Sequence, residues 1–533
     1  MTSRRRRRQP LALAVAAGAV LVLAAAGIAV ARPTATAAST STLTWGILHE
    51  IQTLDPALSY DGGGNNMVTY AECDSLLKFG DNLTLQPQLA TSWRQVNAVT
   101  YVYNLRHDAR FWDGKPVTAA DVAYSLNRIL DPKLASPLQS VVPTVKKMVV
   151  SGPWQVTLKL KSPDPRARWI AALPTGQVVE QAFAKRAGKK FGTTPSTTMC
   201  AGPYRPTSWV KGQTVTLHRV PSYWNKAETP QYQTVVFRTI TDPASMVAAL
   251  RSGQIDGTFD LDGRDAGTLA NASGLTVNTA PGNQIDYISP NLLKGPLKDE
   301  RVRRALSLAI DRKGLAFAVH GKYGEALKGP IPPGLSVYQQ AIFNKAYDAL
   351  NLPLSPDVAQ AKQLVAAAHA QGETVTIGVL ASGTNDIVGP AIAQAGKSVG
   401  LNVVIKNLAP SVYFPENFSG KEPRTYDGLL NFWAADYPDP AADLVTPFGS
   451  KYSNVEGWFN KGYDALTKRY FNSKPQSAAS ARILVQMMTT LINKTVKIPL
   501  YVDPLIDVRK SSIKGYRITK VYFYQQFLKE LHS

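Results

Sequence analysis

Tyr426-Asp-Gly-Leu-Leu-Asn-Phe-Trp-Ala-Ala-Asp-Tyr-Pro-Asp-Pro440 starts as an apolar strand and ends at a pair of prolines. Proline has no backbone N–H for a sheet ladder, so the chain must leave the sheet at this point. We therefore expect Trp433, Asp436 and Tyr437 on a loop at the strand end. An aromatic face beside a carboxylate suits a small ligand that carries an amine or another cation. A core tryptophan beside a turn-capping aspartate is the plainer alternative.

On both sides of this segment, strands alternate with helices. A strand over residues 283–290 leads to a helix over 298–310, whose apolar residues recur on one face while Arg301 and Arg304 are expected on its solvated face. Downstream, the pattern predicts a helix, a strand, a helix and a strand at 357–370, 374–380, 387–399 and 402–405. This alternation is typical of α/β lobes, and a chain of 533 residues is too long for a single core.

The first residues have the layout of an export signal. Arg4–Arg8 is a charged region, residues 11–31 are uncharged and apolar, and Ala35-Thr-Ala37 offers small residues to a signal peptidase. We expect residues 1–37 to be a signal peptide and the protein to be extracytoplasmic. The apolar run is also long enough to span a bilayer, so an uncleaved anchor is the alternative. Because the first cysteine is Cys73, we expect no lipoprotein attachment site.

The chain is strongly basic, with a formal net charge of +21, of which six positive charges precede residue 38. The other lysines and arginines are spread along the sequence without a dense basic run. We therefore expect no nucleic-acid partner. The positive charge is instead expected to attract the protein to an anionic envelope or membrane surface.

The polar residues do not indicate an enzyme. The six histidines form no His-x-x-x-His or His-Glu-x-x-His pair, and the sequence has neither Cys-x-x-Cys nor Gly-x-Ser-x-Gly. These absences argue against a zinc site and against a serine hydrolase. Asp436 and Asp439 have the residue type of a glycosidase pair, but Asp439 lies between prolines and is expected to cap a turn. We expect no catalytic residue, no metal and no cofactor.

The sequence contains two cysteines, Cys73 and Cys200. In an exported chain, two thiols more often pair than stay free. We therefore predict a disulfide between them.

Six separated stretches resemble the large solute-binding proteins of ABC importers, in the peptide/nickel group known as family 5. They are Leu54-Asp-Pro56, Phe111-Trp-Asp-Gly-Lys-Pro-Val-Thr-Ala-Ala-Asp-Val122, Ala201-Gly-Pro-Tyr204, Asp299-Glu-Arg-Val-Arg-Arg-Ala-Leu-Ser-Leu-Ala-Ile-Asp311, Gly329-Pro-Ile-Pro-Pro-Gly334 and Trp433-Ala-Ala-Asp-Tyr-Pro-Asp-Pro440. The resemblance implies a large bilobed α/β fold of the type II periplasmic-binding-protein kind. It also implies that a ligand closes the two lobes and that the closed form docks on an ABC permease.

The resemblance further implies how the chain divides. We expect lobe I at 38–80, 196–282 and 498–533, a subdomain inserted into lobe I at 81–195, and lobe II at 283–497. Within the last part of lobe I, we place a returning strand at 498–502 and a final strand at 515–521.

In peptide-binding members of this family, the aspartate of the Trp-x-x-Asp motif pairs with the α-amino group of the ligand. The resemblance gives this role to Asp436, with Trp433 as a wall. Further residues expected to line the cleft are Tyr60 and Asp61 of the first lobe and Tyr287 and Asn291 of the second. We expect a monomer that binds a small peptide. A metal chelate or an oligosaccharide in the same fold, and a secreted hydrolase, are the alternatives.

Overall fold

The computed structural model describes most of the chain. The described residues are 42–59, 64–80, 82–381, 384–417, 424–445, 447–448, 454 and 456–533. The predicted signal peptide therefore lies outside the described residues. Among the described residues, no helix is both long and apolar enough to cross a membrane.

The strands, in chain order, are β1 Thr42–Ile47, β2 Leu77–Phe79, β3 Leu85–Pro87, β4 Ala90–Asn97, β5 Thr100–Leu105, β6 Val145–Gly152, β7 Gln155–Leu160, β8 Tyr204–Val210, β9 Thr214–Arg219, β10 Thr234–Thr239, β11 Gly257–Thr258, β12 Leu275–Ala280, β13 Gln284–Pro290, β14 Glu325–Ala326, β15 Thr374–Leu380, β16 Asn402–Leu408, β17 Gly428–Ala434, β18 Ile498–Val502 and β19 Leu505–Lys510.

The helices, in the same order, are α1 Gly64–Glu72, α2 Ala119–Ile129, α3 Gln181–Ala187, α4 Pro243–Arg251, α5 Gly263–Leu269, α6 Glu300–Ala309, α7 Arg312–His320, α8 Gln340–Asp348, α9 Val358–Ala367, α10 Asn385–Ser398, α11 Pro410–Asn417, α12 Ala441–Leu444, α13 Lys461–Phe471 and α14 Ala478–Asn493.

One lobe is built on a seven-stranded sheet in the order β12-β19-β11-β1-β10-β9-β8. Its β1 alternates polar and apolar residues, and the apolar Leu43, Trp45 and Ile47 are fully buried. Alternation of this kind places one face of a strand in the core. Strand β1 runs parallel to β10 and pairs Trp45 with Phe237.

A four-stranded antiparallel sheet, β4-β5-β7-β6, lies between the first strands of this lobe and β8 in the sequence. Helix α2 packs on its strand β6. The helix begins with a capping box in which Thr118 and Asp121 bond each other's backbone N–H groups. Asp121 is therefore used to start a helix, as its position in the sequence indicates.

The other lobe is built on a six-stranded sheet in the order β14-β18-β13-β17-β15-β16. Strand β13 runs antiparallel to both of its neighbours, β17 and β18. Because β17 ends opposite the start of β13, the residues that follow Ala434 emerge at the edge where the chain enters this lobe.

Two details of the C-terminal part differ from the sequence prediction. Strand β18 bonds to β13 and β14, so residues 498–502 belong to the six-stranded sheet and not to lobe I. Residues 515–521 form no strand, because the carbonyl of Tyr516 accepts from the Arg509 side chain and its hydroxyl bonds to Gln525. The last strand of the seven-stranded sheet is β19. The other predicted domain boundaries stay predictions.

The chain passes between the two large sheets through two short segments, residues 281–283 and 503–504, which we call the crossing segments. They lie side by side, since the N–H of Asp503 donates to the carbonyl of Gln284 at 3.1 Å. Gly282 packs so closely on the Asp503 carbonyl that a Cβ at this position would overlap it. Any rotation of one lobe against the other therefore has to pass through these backbone segments.

The two cysteines form the predicted disulfide. Cys73 and Cys200 are both fully buried, and their Cα atoms are 4.9 Å apart. Cys73 follows the end of α1, and Cys200 precedes β8. The bond therefore ties together two parts of the first lobe that are 127 residues apart in sequence.

Candidate ligand-binding site

Strand β17 is longer than the sequence predicts. Trp433 lies within it and pairs with Ile285 of β13, so the expected loop begins only after Ala434. Phe432 and Trp433 favour a strand, and the prolines that end it come several residues later. The indole of Trp433 is half-buried against Ile285 and Tyr287, and its N–H has no hydrogen-bond partner among the described residues.

Asp436 follows the end of β17 and is half-buried. Its charge acts on the buried Asp443 of α12. Burial raises the pKa of Asp443 to about 8, and the negative charge of Asp436 adds to this rise. The two carboxyl groups therefore lie in the same low-dielectric region, where a cation is favoured.

Tyr437 connects this loop to the segment that follows the four-stranded sheet. Its ring stacks on Trp169, with ring centroids 6.2 Å apart and planes inclined by 16°. Trp169 ends a short 3-10 turn that follows the four-stranded sheet and is itself stacked on Phe79 of β2. Burial raises the pKa of Tyr437 well above its ordinary value. The residue directly after Asp436 thus contacts a segment that the sequence analysis assigns to the inserted subdomain of lobe I.

Asp439 serves the turn, as the sequence predicts. Its Oδ1 accepts from the backbone N–H of Ala441 at 2.9 Å and from the hydroxyl of Tyr338 at 3.1 Å. Burial raises the pKa of Asp439. The Asp439 carboxylate is thus used to begin α12, the turn-capping role that the sequence predicts.

Tyr287 and Asn291 are buried in this structure. Tyr287 lies under the ammonium of Lys497, whose Nζ is 3.7 Å from the ring centroid. Asn291 donates from Nδ2 to the carbonyls of Arg424 and Tyr426 at 3.1 and 3.2 Å. Both residues support the wall behind β17, and contact with a ligand stays a prediction for both. Tyr60 and Asp61 lie outside the described residues.

The sequence analysis missed a group of buried charges behind this wall. Neither oxygen of Asp443 nor the Lys497 ammonium has a hydrogen-bond partner in the part of the chain that the structure describes. Glu456 accepts from the Ser289 hydroxyl at 2.9 Å, and Arg424 donates to the same hydroxyl at 3.0 Å. The four charges lie in separate parts of the sequence, so no local motif indicates the group.

The arrangement provides one half-buried acid and one half-buried indole at the end of β17. Within the described ranges, no group of three or more His, Cys, Asp or Glu is suited to a metal ion. An acid beside an indole can accept a cationic group, so the geometry is compatible with the ligand contact predicted for Asp436 and Trp433.

Comparison with known proteins points to one family of binding proteins. A model of the bacterial extracellular solute-binding proteins, family 5 Middle, matches residues 84–454. The chain is 27% identical over 442 residues to the periplasmic oligopeptide-binding protein OppA of Escherichia coli (strain K12), which covers 78% of this chain and 79% of that protein. It is 26% identical over 461 residues to the probable deoxycholate-binding periplasmic protein YgiS of the same organism, covering 81% and 82%.

A solved structure shows the same fold. The ABC transporter-associated periplasmic binding protein DppA from Helicobacter pylori, in complex with the peptide STSA, superposes with a TM-score of 0.77. The superposition covers 92% of this chain and 98% of that one, at 19% sequence identity. It confirms the predicted bilobed α/β binding-protein fold.

Proposed function

We propose a small peptide as the ligand of this chain, which belongs to family 5 of the bacterial extracellular solute-binding proteins. Members of the family bind a solute and are not enzymes; they work with a membrane permease. OppA is named for oligopeptides, and DppA was solved with a peptide. The proposed sequence is capture between two lobes, closure, and delivery to an ABC permease.

The observation that carries the proposal is the position of Asp436. Its neighbour Tyr437 stacks on Trp169, which the sequence analysis assigns to the inserted subdomain of lobe I. A ligand held by the Asp436 carboxylate would therefore lie where the lobes are proposed to close. A peptide brings an α-ammonium group whatever its side chains are. A charge-assisted bond from this group to Asp436 would anchor the ligand without selecting for sequence. Trp433 would form the adjacent wall, and backbone groups and waters would bind the remaining peptide.

The other parts of the proposal concern the chain outside the cleft. We propose that the protein acts as a monomer outside the cytoplasm and that residues 1–37 direct its export. N-terminal sequencing of the exported protein tests the second point. A start near residue 38 supports a cleaved signal, and a start at Met1 supports an anchor.

Calorimetry with trialanine tests the role of Asp436. We expect Asp436→Asn to weaken binding at least about 30-fold, or about 2 kcal/mol, because it leaves a desolvated ammonium without its counter-charge. Asp348→Asn, at an exposed position on α8, is the matched control and should change nothing. Equal affinity of wild type and Asp436→Asn would refute the assignment. Mass spectrometry of co-purified ligand separates a peptide from a metal chelate or an oligosaccharide.

A further inference from the structure

Asn283, in the first crossing segment, bonds to the loop that carries Asp436. Asn283 is 2% exposed, and its Nδ2 donates to the carbonyl oxygen of Ala435 at 2.9 Å. Ala435 is the residue directly before Asp436. A single side chain therefore links the segment through which the lobes rotate to the loop that carries the candidate amine-binding acid.

The hydrogen bond from Asn283 to Ala435 fixes the backbone at the entry to Asp436. The backbone ladder between β13 and β17 ends at the pair Gln284 and Ala434. One residue further along, the Asn283 side chain takes the place of a backbone donor. The oxygen that it binds belongs to the planar peptide unit that also contains the N–H of Asp436. Fixing this oxygen therefore fixes the direction in which the chain enters Asp436.

The residue directly after Asn283 is bound to the second crossing segment. Gln284 accepts from the N–H of Asp503 at 3.1 Å, and its side chain donates to the Asp503 carboxylate. Asp503 also bonds to Nε2 of His320 at the end of α7, at 2.9 Å. A backbone rotation in either crossing segment is thus transmitted to the position of Asn283 and from there to the Ala435 carbonyl.

We propose that Asn283 is a positioning residue, which couples lobe closure to the orientation of Asp436. This inference rests on the proposed function. In the open-to-closed rotation, the bond from Asn283 keeps the Asp436 loop aligned with the crossing segment. The loop that binds the ligand amine and the segment that rotates on closure are then joined by one hydrogen bond.

A double-mutant cycle with trialanine tests the coupling, because residues that act through one another have non-additive effects. We expect Asn283→Ala to weaken binding about tenfold in the wild-type background and less than twofold in Asp436→Asn. In Asp436→Asn no carboxylate is left for Asn283 to position against the ligand amine. Asn283→Asp, which keeps the volume but places a carboxylate against the carbonyl, should weaken binding at least as much and serves if the alanine variant does not fold.

Asn127→Ala is the matched control. Asn127 makes the same type of bond, from Nδ2 to the carbonyl of Met148 at 2.8 Å, beside the four-stranded sheet. We expect it to leave the affinity unchanged. An equal loss for Asn283→Ala in both backgrounds, or no loss in wild type, would overturn the coupling while leaving Asp436 as the anchor. No effect of Asp436→Asn by itself would overturn both.

Discussion

Tyr437 stacks on Trp169, with ring centroids 6.2 Å apart. The contact comes from the residue that follows Asp436, so the candidate anchor lies next to a contact with the predicted inserted subdomain of lobe I. An aromatic pair of this kind contributes about 0.5–1.5 kcal/mol beyond the area it buries. If the lobes close on the ligand as proposed, this contact stabilises the closed state, and weakening it should lower the ligand affinity.

Trp169→Phe tests this contact. The smaller ring keeps the packing on Phe79 but loses overlap with Tyr437. We expect trialanine affinity to fall by about three- to tenfold, because the closed state loses part of that stacking energy. Calorimetry gives the affinity, and Trp154→Phe, whose ring stacks on His107 instead, is the control. Unchanged affinity in Trp169→Phe would show that the stacking does not contribute to closure.

The disulfide should contribute strongly to stability. Cys73 and Cys200 close a long loop, and cross-links of this length typically stabilise a protein by about 2–5 kcal/mol. We expect the Cys73→Ser/Cys200→Ser double variant to lose this amount in urea unfolding. Thiol titration of the denatured, unreduced wild type should detect no free thiol. Two free thiols per chain would contradict the bond.

Glu228 should give the first lobe a pH-dependent stability. Although burial opposes ionisation, the charges and hydrogen bonds of Lys529 and Lys78 hold its pKa at about 2. An acid whose pKa is lowered on folding stabilises the protein above its unfolded pKa, and the effect is lost as the pH falls through the folded pKa.

We therefore expect Glu228→Gln to cost about 1–2 kcal/mol at pH 7, allowing for solvent screening of the partly exposed group. The difference from wild type should shrink as the pH falls from 4.5 toward 2. Urea unfolding across this range measures it, with Glu373→Gln at an exposed position as the control. A difference that stays constant with pH would rule out the ionised carboxylate as its source.

Neutral side chains should be able to replace the buried charges of Asp443 and Lys497, behind β17, without lowering the free energy of unfolding. Burial raises the pKa of Asp443 to about 8 and lowers the pKa of Lys497 to about 8, which reflects the cost of charge in this interior. Exchanging buried charged groups of opposite sign for neutral groups of similar size is often neutral or stabilising by about 1–4 kcal/mol. We expect this outcome for Asp443→Asn/Lys497→Met in urea unfolding. A loss of stability in the double variant would mean that the two charges are well solvated by groups such as bound water.

Local pattern was sufficient to predict several of the regular elements. Helix α6 and strand β15 follow directly from apolar periodicity, and the prolines end the segment that carries Asp436. Strand β17 was underestimated because its final residues, including Trp433, pair with β13, and that pairing depends on residues far away in sequence. The segment 515–521 looked like a strand because its residues favour one, whereas its polar groups bond to side chains.

Isolated residues with long-range partners could not be predicted. Arg303 belongs to the same arginine-rich helix as Arg301 and Arg304, yet it is buried. Its guanidinium donates to the carbonyls of Leu297, Lys298, Lys494 and Thr495. Two of these acceptors are about 190 residues away, and an acceptor at such a distance leaves no local signal. Asn283 and Trp169 were missed for the same reason.

The most direct measurement changes the ligand and leaves the protein intact. Calorimetry of the wild-type protein should show tight binding of trialanine and binding at least about 30-fold weaker for Nα-acetyl-trialanine, whose blocked amine carries no charge for Asp436. In Asp436→Asn the two peptides should differ by less than about threefold, because the counter-charge is gone. Equal affinity of the wild type for both peptides would contradict the central claim that this carboxylate holds the amine of the ligand.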